Sequence, residues 1–288
     1  MIPAAFDYQA PATLDEAVSL LARDPDGAKV LAGGHSLIPA MKLRLAQPQL
    51  LVDIARIKSL SYIREDGNQI LIGATTTHYQ LESSDLLKQI CPLLPACAAS
   101  IGDVQVRNKG TIGGSIAHSD PAGDWPAAVL ALDADLVLVG PNGERTIKAA
   151  NFFVDLLTTD LQPGEILREI RVQKPSGRFG QAYQKAPHPA SGFAVVGIAV
   201  HLTLNDDGSC KAAQIGVTGV GVKAYRAQGV EAELAGKGLD EQIITEAAKH
   251  VCDGVDPNAD LYASGEYRCH LAQVHTRRAI QAAKAAAK

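Results

Sequence analysis

The hydrophobic positions of the first 57 residues predict a β–α–β unit. The stretch "TLDEAVSLLARDP" repeats apolar side chains at helical spacing and opens with a capping box, in which Thr13 precedes Glu16 by three residues. The apolar runs "AKVLAGG" and "LLVDIARI" are short enough to be strands, and a helical segment lies between them. We therefore expect strands and helices to alternate in this part of the chain.

Between residues 60 and 177 the pattern changes to pairs of apolar runs separated by glycine turns. "LSYIREDGNQILIGATTT" contains an Asp-Gly-Asn turn and "DLVLVGPNGERTIKA" a Pro-Asn-Gly turn, and each predicts a β-hairpin. A long run interrupted by two prolines and the shorter "DWPAAVLALDA" are helical, and one more strand precedes residue 174. The segment "KPSG" marks a boundary.

Beyond this boundary the chain first forms strands and then helices. "FAVVGIAVHLTLNDDG" and "CKAAQIGVTGVG" predict antiparallel strands joined by an Asp-Asp-Gly turn, and three helical runs follow, the last from about Ser264. This order is typical of an α+β layer, an antiparallel sheet backed by helices. We expect an N-terminal domain of residues 1–177, divided into subdomains of about residues 1–57 and 58–177, and a C-terminal domain of residues 178–288.

Composition and charge exclude several classes of protein. The chain is 47% hydrophobic and 20% charged, which is ordinary for a globular protein, and 288 residues suit two or three subdomains. A net charge of -4 and a pI near 6.1 argue against a nucleic-acid-binding protein. No apolar run has the roughly 20 residues of a membrane span, and the first residues do not resemble a secretory signal. We expect a cytoplasmic protein, with a peripheral position at the inner face of the membrane as the alternative.

The sequence contains no recognisable metal or catalytic motif. The five cysteines have no C-x-x-C or Cys/His ligand spacing, so we expect buried or incidental thiols and any iron–sulfur cluster on another chain. There is no G-x-S-x-G motif and no H-x-x-x-H pair beside a catalytic glutamate. Adjacent His35 and Ser36 are not placed as a dyad, and Asp120 and Asp124 are explained as the polar entry to a helix. We predict no catalytic residue and no metal site here.

Two glycine pairs occur in matching contexts and indicate a ligand. The first lies in "KVLAGGHSL" and the second in "KGTIGGSIAH", and each has a serine within two residues, Ser36 or Ser115. Glycine allows a ligand to approach the backbone, and successive amide N–H groups bind phosphate oxygens without a basic side chain. The helix after the second pair favours negative charge near its N-terminus. Together the loops predict a dinucleotide; the alternative for each is a tight turn without a ligand.

A third glycine-rich segment is a weaker candidate. "GVGVKA" fits G-x-G-x-x-A, and Asp240 follows at about the spacing of a dinucleotide-binding acidic residue. However, a short turn joins its strand to the previous one, which makes the pair antiparallel, and no strand follows its helix. We interpret this segment as a glycine-rich strand end rather than an NAD site.

The two glycine pairs belong to a wider resemblance. "AGGHSLIPAMKLRLAQP" followed by "VRNKGTIGGSIAHSDPAGDWPAAVLAL" closely resembles the FAD-binding medium subunit of the molybdenum hydroxylases, the xanthine oxidase family, and within it the medium chains of aerobic carbon monoxide dehydrogenases. "MIPAAFDYQAP" and "GEILREIRV" fit the same family, so the resemblance covers essentially the whole chain. One segment departs: "KAPHPASGF" replaces a basic stretch followed by Gly-Asp-aromatic.

The resemblance implies a fold and a set of binding residues. The fold is the FAD-binding fold of the vanillyl-alcohol-oxidase (PCMH) type in two subdomains, followed by a C-terminal α+β domain, with the flavin between them. Asp124 is expected to hydrogen-bond the sugar-phosphate region of FAD and Leu167 to pack beside the ring. Lys185 is expected near the isoalloxazine, where a cation stabilises negative charge on the reduced flavin. Phe193 is expected against the ring, or else in the core of a strand. The pyrophosphate is expected on the two glycine loops: Ala32, Gly33, Gly34, His35 and Ser36, and Thr111, Ile112, Gly113, Gly114 and Ser115.

The function implied by the resemblance is electron transfer within an oxidoreductase. Electrons from a molybdenum cofactor on a large subunit cross two [2Fe–2S] clusters on a small subunit, reach this FAD singly, and leave for quinone, NAD or oxygen. The expected assembly is a dimer of heterotrimers. Since the substrate is oxidised on the large subunit, purine, aldehyde and N-heterocycle dehydrogenases remain alternatives to carbon monoxide dehydrogenase. A stand-alone flavin oxidase, with His35 as a covalent attachment site, and a scaffold protein without cofactor are further alternatives.

Overall fold

A computed structural model describes all 288 residues, beginning with a three-stranded parallel sheet. The strands have the order β1–β3–β2, and both pairs are parallel. The predicted β–α–β unit is confirmed, because a helix crosses between β2 and β3 as parallel pairing requires. The predicted N-cap is also confirmed: the Glu16 N–H donates to the Thr13 hydroxyl. The elements are β1 (Asp7–Gln9), α1 (Leu14–Arg23), β2 (Ala28–Leu31), α2 (Leu37–Lys42) and β3 (Leu50–Asp53).

A five-stranded antiparallel sheet forms the middle of the chain. Its order is β4–β5–β10–β6–β7, so both predicted hairpins are confirmed and β10 lies between them. A two-stranded ribbon, β8 with β9, stands apart from it. The strands are β4 (Ile63–Asp66), β5 (Gln69–Gly73), β6 (Asp135–Gly140), β7 (Gly143–Lys148), β8 (Phe153–Asp155), β9 (Thr158–Thr159) and β10 (Ile166–Gln173).

Short helices cover this sheet. The long helical run predicted around the two prolines is divided into three helices, with Ser84 capping the second and Pro92 preceding the third. The helices are α3 (His78–Ser83), α4 (Asp85–Ile90), α5 (Leu93–Ala99), α6 (Val104–Arg107), α7 (Ile112–His118), α8 (Asp124–Ala131) and α9 (Ala149–Phe152). All eight residues of α8 are buried, so this helix lies inside the molecule.

The C-terminal part is a four-stranded antiparallel sheet with helices on one face. The order is β11–β12–β13–β14, and the antiparallel pairing of β12 with β13 confirms that "GVGVKA" is not part of a β–α–β unit. The first of the three predicted helices begins only at Gln228, because Tyr225 and Arg226 pair with β13. No helix combines the length and apolar character that crossing a membrane requires. The elements are β11 (Arg178–Pro187), β12 (Ala194–Leu204), β13 (Cys210–Thr218), β14 (Tyr225–Arg226), α10 (Gln228–Leu234), α11 (Glu241–Ala248) and α12 (Gly265–Ala285).

The cysteines correct one expectation. Cys91, Cys97 and Cys210 are buried free thiols, as predicted. Cys252 and Cys269, however, form a disulfide that ties the turn after α11 to α12. The sequence did not indicate this pair, because the 17-residue separation matches no motif and the two residues meet only when α12 folds back onto the sheet.

Glycine allows α8 to lie directly on the C-terminal sheet. A Cβ atom at Gly216 of β13 would overlap the carbonyl oxygen of Ala127 in α8 and lie 2.8 Å from its carbonyl carbon. The neighbouring positions on this face of β12 are Gly197 and Ala199, so small residues set the distance between helix and sheet. The middle and C-terminal parts of the chain are therefore in direct contact through the backbones of α8 and β13.

We predict that Gly216→Val lowers the free energy of unfolding by about 3 kcal/mol or more, because the overlap with Ala127 is with backbone and cannot be relieved by a rotamer change. Chemical denaturation of the full chain measures this. Gly238→Val is the matched control, since no atom lies within 4 Å of a Cβ at Gly238. Equal stability of the two variants would contradict the packing described.

Candidate functional site

The two glycine segments lie against each other. A Cβ atom at Gly33 would overlap the carbonyl oxygen of Lys109 and lie 2.8 Å from Cα of Gly110. A Cβ at Gly114 would lie 4.0 Å from Cβ of Ala32. The loop after β2 therefore forms one continuous surface with the loop before α7 and the first turn of that helix, as expected if both segments contact one ligand.

The first glycine loop presents a row of free amides. None of the backbone N–H groups of residues 32–37 donates to an acceptor in the chain. Gly34 has a φ of +75°, and Ser36, with φ -103° and ψ -48°, returns to the right-handed helical region. Such an alternation turns successive N–H groups toward one side and forms an anion-binding concavity. The Ser36 hydroxyl also makes no capping bond, so it remains a donor for a ligand.

The second glycine loop, Thr111–Ser115, differs from the expectation, because its last four residues form the first turn of α7. The amides of these four residues, 112–115, are all used within the protein, so they are not a second row of phosphate donors. The bonds run from Ile112 to the Thr76 carbonyl (3.0 Å), from Gly113 to the Ala74 carbonyl (2.9 Å), from Gly114 to the Thr111 hydroxyl (3.1 Å) and from Ser115 to the Thr111 carbonyl (3.0 Å). Thr111 caps α7 and bridges to Thr77, which the spacing of the glycines did not reveal.

Packing explains why the second pair is glycine. A Cβ at Gly113 would lie 2.5 Å from Cβ of Ala74, so this residue needs glycine in order to pack on the chain after β5. Gly114 is exposed and faces Ala32, and Ser115 is half-buried with no hydrogen bond to its hydroxyl. The second loop therefore offers a ligand close approach and one hydroxyl group rather than a set of amides.

Asp124 and Lys185 form a buried ion pair beside these loops. The Lys185 ammonium donates to Oδ2 of Asp124 (2.9 Å) and to the carbonyl of Ser100 (3.0 Å). The Tyr183 hydroxyl donates to the other carboxylate oxygen, Oδ1, at 2.6 Å. The side chains of Lys185 and Asp124 are only 6% and 5% exposed, so little water screens their charges. The structure thus brings together two residues that the sequence separates by 61 positions.

Burial and ion pairing have opposite effects on the pKa of the Asp124 carboxyl. Burial raises the pKa of the Asp124 carboxyl, while the Lys185 charge and the hydrogen bond from Tyr183 act to lower it. Burial also raises the pKa of the Tyr183 hydroxyl well above its ordinary value, so that hydroxyl keeps its proton and acts as a donor. Tyr183 and the Ser100 carbonyl are members of the site that sequence reasoning missed.

The two residues expected beside the ring are placed very differently. Phe193 is 45% exposed at the start of β12, which rules out its alternative role as a core residue and leaves contact with a ligand as the prediction. Leu167 is 4% exposed and lies in the core of the five-stranded sheet, opposite Leu138. The carbonyl of its neighbour Arg168 accepts the N–H of Ala74, and Leu167 shares a buried apolar cluster with Ile112 and Ile116 of α7.

His78, hydrogen-bonded to Trp125, packs next to Gly110, the residue before the second glycine loop. The role of this pair was not predicted from the sequence. The indole N–H of Trp125 donates to Nδ1 of His78 at 3.0 Å, and a Cβ at Gly110 would lie 2.6 Å from His78 Nε2. Burial, with smaller contributions from His35 and Arg107, lowers the pKa of His78 to about 4. The ring is therefore neutral and holds α8 against the loop.

Of the other candidate side chains, Asp120 has a structural partner and His35 has none. Oδ1 of Asp120 accepts the N–H of Ala122 at 2.8 Å, as expected for a helix entry. His35 is exposed on the first loop and makes no hydrogen bond to the protein. No three His, Cys, Asp or Glu side chains of the chain are grouped so that they could hold a metal ion.

Comparison with known proteins agrees with this geometry. Residues 4–175 match the family described as "FAD binding domain in molybdopterin dehydrogenase", and residues 181–283 match "CO dehydrogenase flavoprotein C-terminal domain". The chain is 41% identical to the carbon monoxide dehydrogenase medium chain of Hydrogenophaga pseudoflava, over 98% of both chains. It is 37% identical to the 6-hydroxypseudooxynicotine dehydrogenase complex subunit alpha of Paenarthrobacter nicotinovorans, over 97% of this chain and 95% of the relative. A solved carbon monoxide dehydrogenase from Hydrogenophaga pseudoflava, lacking the Mo-pyranopterin moiety, superposes with a TM-score of 0.97 at 42% identity over 100% of both chains.

We predict that acid weakens the fold through His78. Because its pKa falls from 6.5 to about 4 on folding, its contribution is complete above pH 6.5 and is lost as pH drops toward 4, by up to about 3 kcal/mol. Trp125 is the only tryptophan, so its fluorescence should change over the range in which His78 is protonated and stops accepting the indole N–H.

Two variants test this assignment. His78→Gln should reduce the loss of unfolding free energy between pH 6.5 and 4, leaving the part due to His201, and should abolish the fluorescence change. His201, whose pKa burial also lowers to about 4, is the matched control: His201→Gln should affect stability but keep the Trp125 transition. A Trp125 transition unaltered in His78→Gln would show that another group causes it.

Proposed function

The chain belongs to the family of FAD-binding subunits of the molybdopterin dehydrogenases, and on that premise we propose that it is the electron-transferring medium subunit of a carbon monoxide dehydrogenase. The observation that carries the proposal is the row of free amides at residues 32–37, placed against the second glycine loop. The protein works in the cytoplasm. Its domains divide after residue 177, where the chain leaves the five-stranded sheet for β11.

The residues present fit the diphosphate of FAD. Six successive amides and two free hydroxyls, those of Ser36 and Ser115, are donors without a protein acceptor. A diphosphate needs several donors, and a concave row of backbone N–H groups provides them without a cation. We assign the phosphates to the amides of the first loop and to the Ser115 hydroxyl, with Gly114 allowing the close approach. His35 belongs to this loop through its backbone.

The ion pair fits the flavin end of the site. Bound FAD supplies a carrier that accepts electrons one at a time and delivers them in pairs. Lys185 is a nearly buried cation, and in such a place its charge favours the extra electrons of a reduced flavin more strongly than it would in water. Asp124 limits this effect by partial neutralisation. We assign the exposed aromatic side chain of Phe193 to a contact with the flavin ring. We assign the buried Leu167 to the apolar core beside the ring.

Partner subunits supply the remaining chemistry. This chain has no cluster of metal ligands, which supports placing the molybdenum cofactor on a large subunit and two [2Fe–2S] clusters on a small subunit. The assembly we propose is a dimer of heterotrimers. The 41% identity to a carbon monoxide dehydrogenase medium chain favours carbon monoxide as the substrate of the complex. The 37% identity to a 6-hydroxypseudooxynicotine dehydrogenase subunit makes an N-heterocyclic substrate the second candidate.

We predict that the purified chain binds FAD but that its flavin is reduced only within the complex. FAD content is measured from the flavin absorption of the dialysed chain, and reduction from the loss of that absorption after anaerobic addition of carbon monoxide or of an N-heterocycle. With both partner subunits present, carbon monoxide should bleach the flavin; the isolated chain should stay yellow, because it has no molybdenum site.

Each alternative has its own outcome in this experiment. Bleaching of the isolated chain would indicate a substrate site of its own, as in a stand-alone oxidase, and yellow colour retained in an acid precipitate would point to a covalent flavin on His35. Absence of FAD from the wild-type chain would refute the flavoprotein assignment. Gly33→Val is the negative control for binding, since the added side chain would overlap Lys109 and push the loops apart.

A further inference from the structure

Tyr183 completes the buried ion pair, although no sequence motif includes it. Its hydroxyl donates to Oδ1 of Asp124 at 2.6 Å, while Lys185 donates to Oδ2 of the same carboxylate at 2.9 Å. Tyr183 is two residues before Lys185 on β11, so both side chains emerge on the face of the sheet that meets α8. One carboxylate is thus held from two directions by neighbours on one strand.

We propose that Tyr183 is a positioning residue for the flavin: its hydroxyl keeps the Asp124 carboxylate ionised and oriented, so that Asp124 continues to offset the charge of Lys185. This inference rests on the proposed function, because it concerns the same site. Tyr183 itself is not assigned a contact with FAD.

The sequence provides a place for this hydroxyl. Gly197 lies opposite Lys185 in β12, and a Cβ atom there would overlap Oη of Tyr183 and lie 2.7 Å from Cγ2 of Thr218. Only glycine at this position leaves room for the Tyr183 side chain to reach Asp124. The hydrogen bond from Tyr183 to Asp124 therefore requires a glycine in the middle of β12, a buried strand that would otherwise carry a side chain at this position.

The hydrogen bond matters because the carboxylate is buried. A buried carboxylate persists only with strong partners. Asp124 has two direct donors, the ammonium of Lys185 and the hydroxyl of Tyr183, and the neighbouring Ser100 side chain also acts to lower its pKa. The only other titratable group acting on this cluster is the Cys97 thiol of α5, whose pKa burial raises well above its ordinary value, so it is uncharged. Removing the hydroxyl leaves one oxygen of Asp124 without a donor and favours its protonation.

Protonation of Asp124 would change the local charge from zero to +1. Lys185 then acts on the flavin without its counter-ion, although it keeps the bond to the Ser100 carbonyl. A net positive charge favours the reduced flavin. The expected consequence is a higher reduction potential rather than a loss of folding.

The test is a dye-equilibrated redox titration of the full chain carrying FAD, comparing wild type, Tyr183→Phe, Asp124→Asn and the double variant. We expect Tyr183→Phe and Asp124→Asn each to raise the midpoint potential, and Tyr183→Phe to have no further effect in the Asp124→Asn background. Tyr225→Phe is the matched control: it removes the hydroxyl of another half-buried tyrosine, which donates to the Val251 carbonyl at 2.9 Å, and should leave the potential unchanged.

The outcomes separate this inference from the proposed function. An unchanged or lower potential in Tyr183→Phe, or an equal rise with and without Asp124, overturns the positioning role while leaving FAD binding intact. A wild-type chain that binds no FAD overturns both proposals. If Tyr183→Phe does not yield folded protein, Gly197→Ala carries the same test, because the added methyl group displaces the hydroxyl from Asp124, and a rise in potential is again expected.

Discussion

The site depends on the close contact between the backbone at Gly33 and the backbone of Lys109 and Gly110. No side chain separates the two loops. The backbone contact therefore fixes the distance between the N-terminal parallel sheet and the loop before α7. That contact places the free amides of residues 32–37 beside the second glycine pair, where Ala32 faces Gly114. A shift of one loop by the width of a methyl group would divide the surface that we assign to the diphosphate.

A second constraint joins this surface to the C-terminal domain. Helix α8 lies on β13 across Gly216, and its first residue, Asp124, pairs with Lys185 of β11. The charged end of the site therefore exists only when the two domains are docked, whereas the amide row belongs to the FAD-binding domain alone. In the function we propose, this division separates two tasks: backbone groups bind the diphosphate, and a buried pair of charges adjusts the ring.

Local signals in the sequence predicted the elements well, and contacts between distant residues account for what was missed. The β–α–β unit, both hairpins, the α12 start at Ser264 and the first glycine loop follow from periodicity, caps and turn residues, whereas the second glycine pair lies in α7 rather than in a loop. The amides of residues 112–115 could not be judged in this way, because their acceptors include Ala74 and Thr76. The same reason applies to the Tyr183–Asp124 bond, the Trp125–His78 bond and the Cys252–Cys269 disulfide, each of which joins separate elements.

Backbone amide exchange tests the central claim, that one loop binds the diphosphate through its N–H groups while the other supports it. Hydrogen–deuterium exchange of the full chain should show residues 32–37 exchanging rapidly without FAD and slowly with it. Residues 112–115, already hydrogen-bonded within the protein, should be protected in both states. Rapid exchange of residues 32–37 in the FAD-saturated chain would contradict the account.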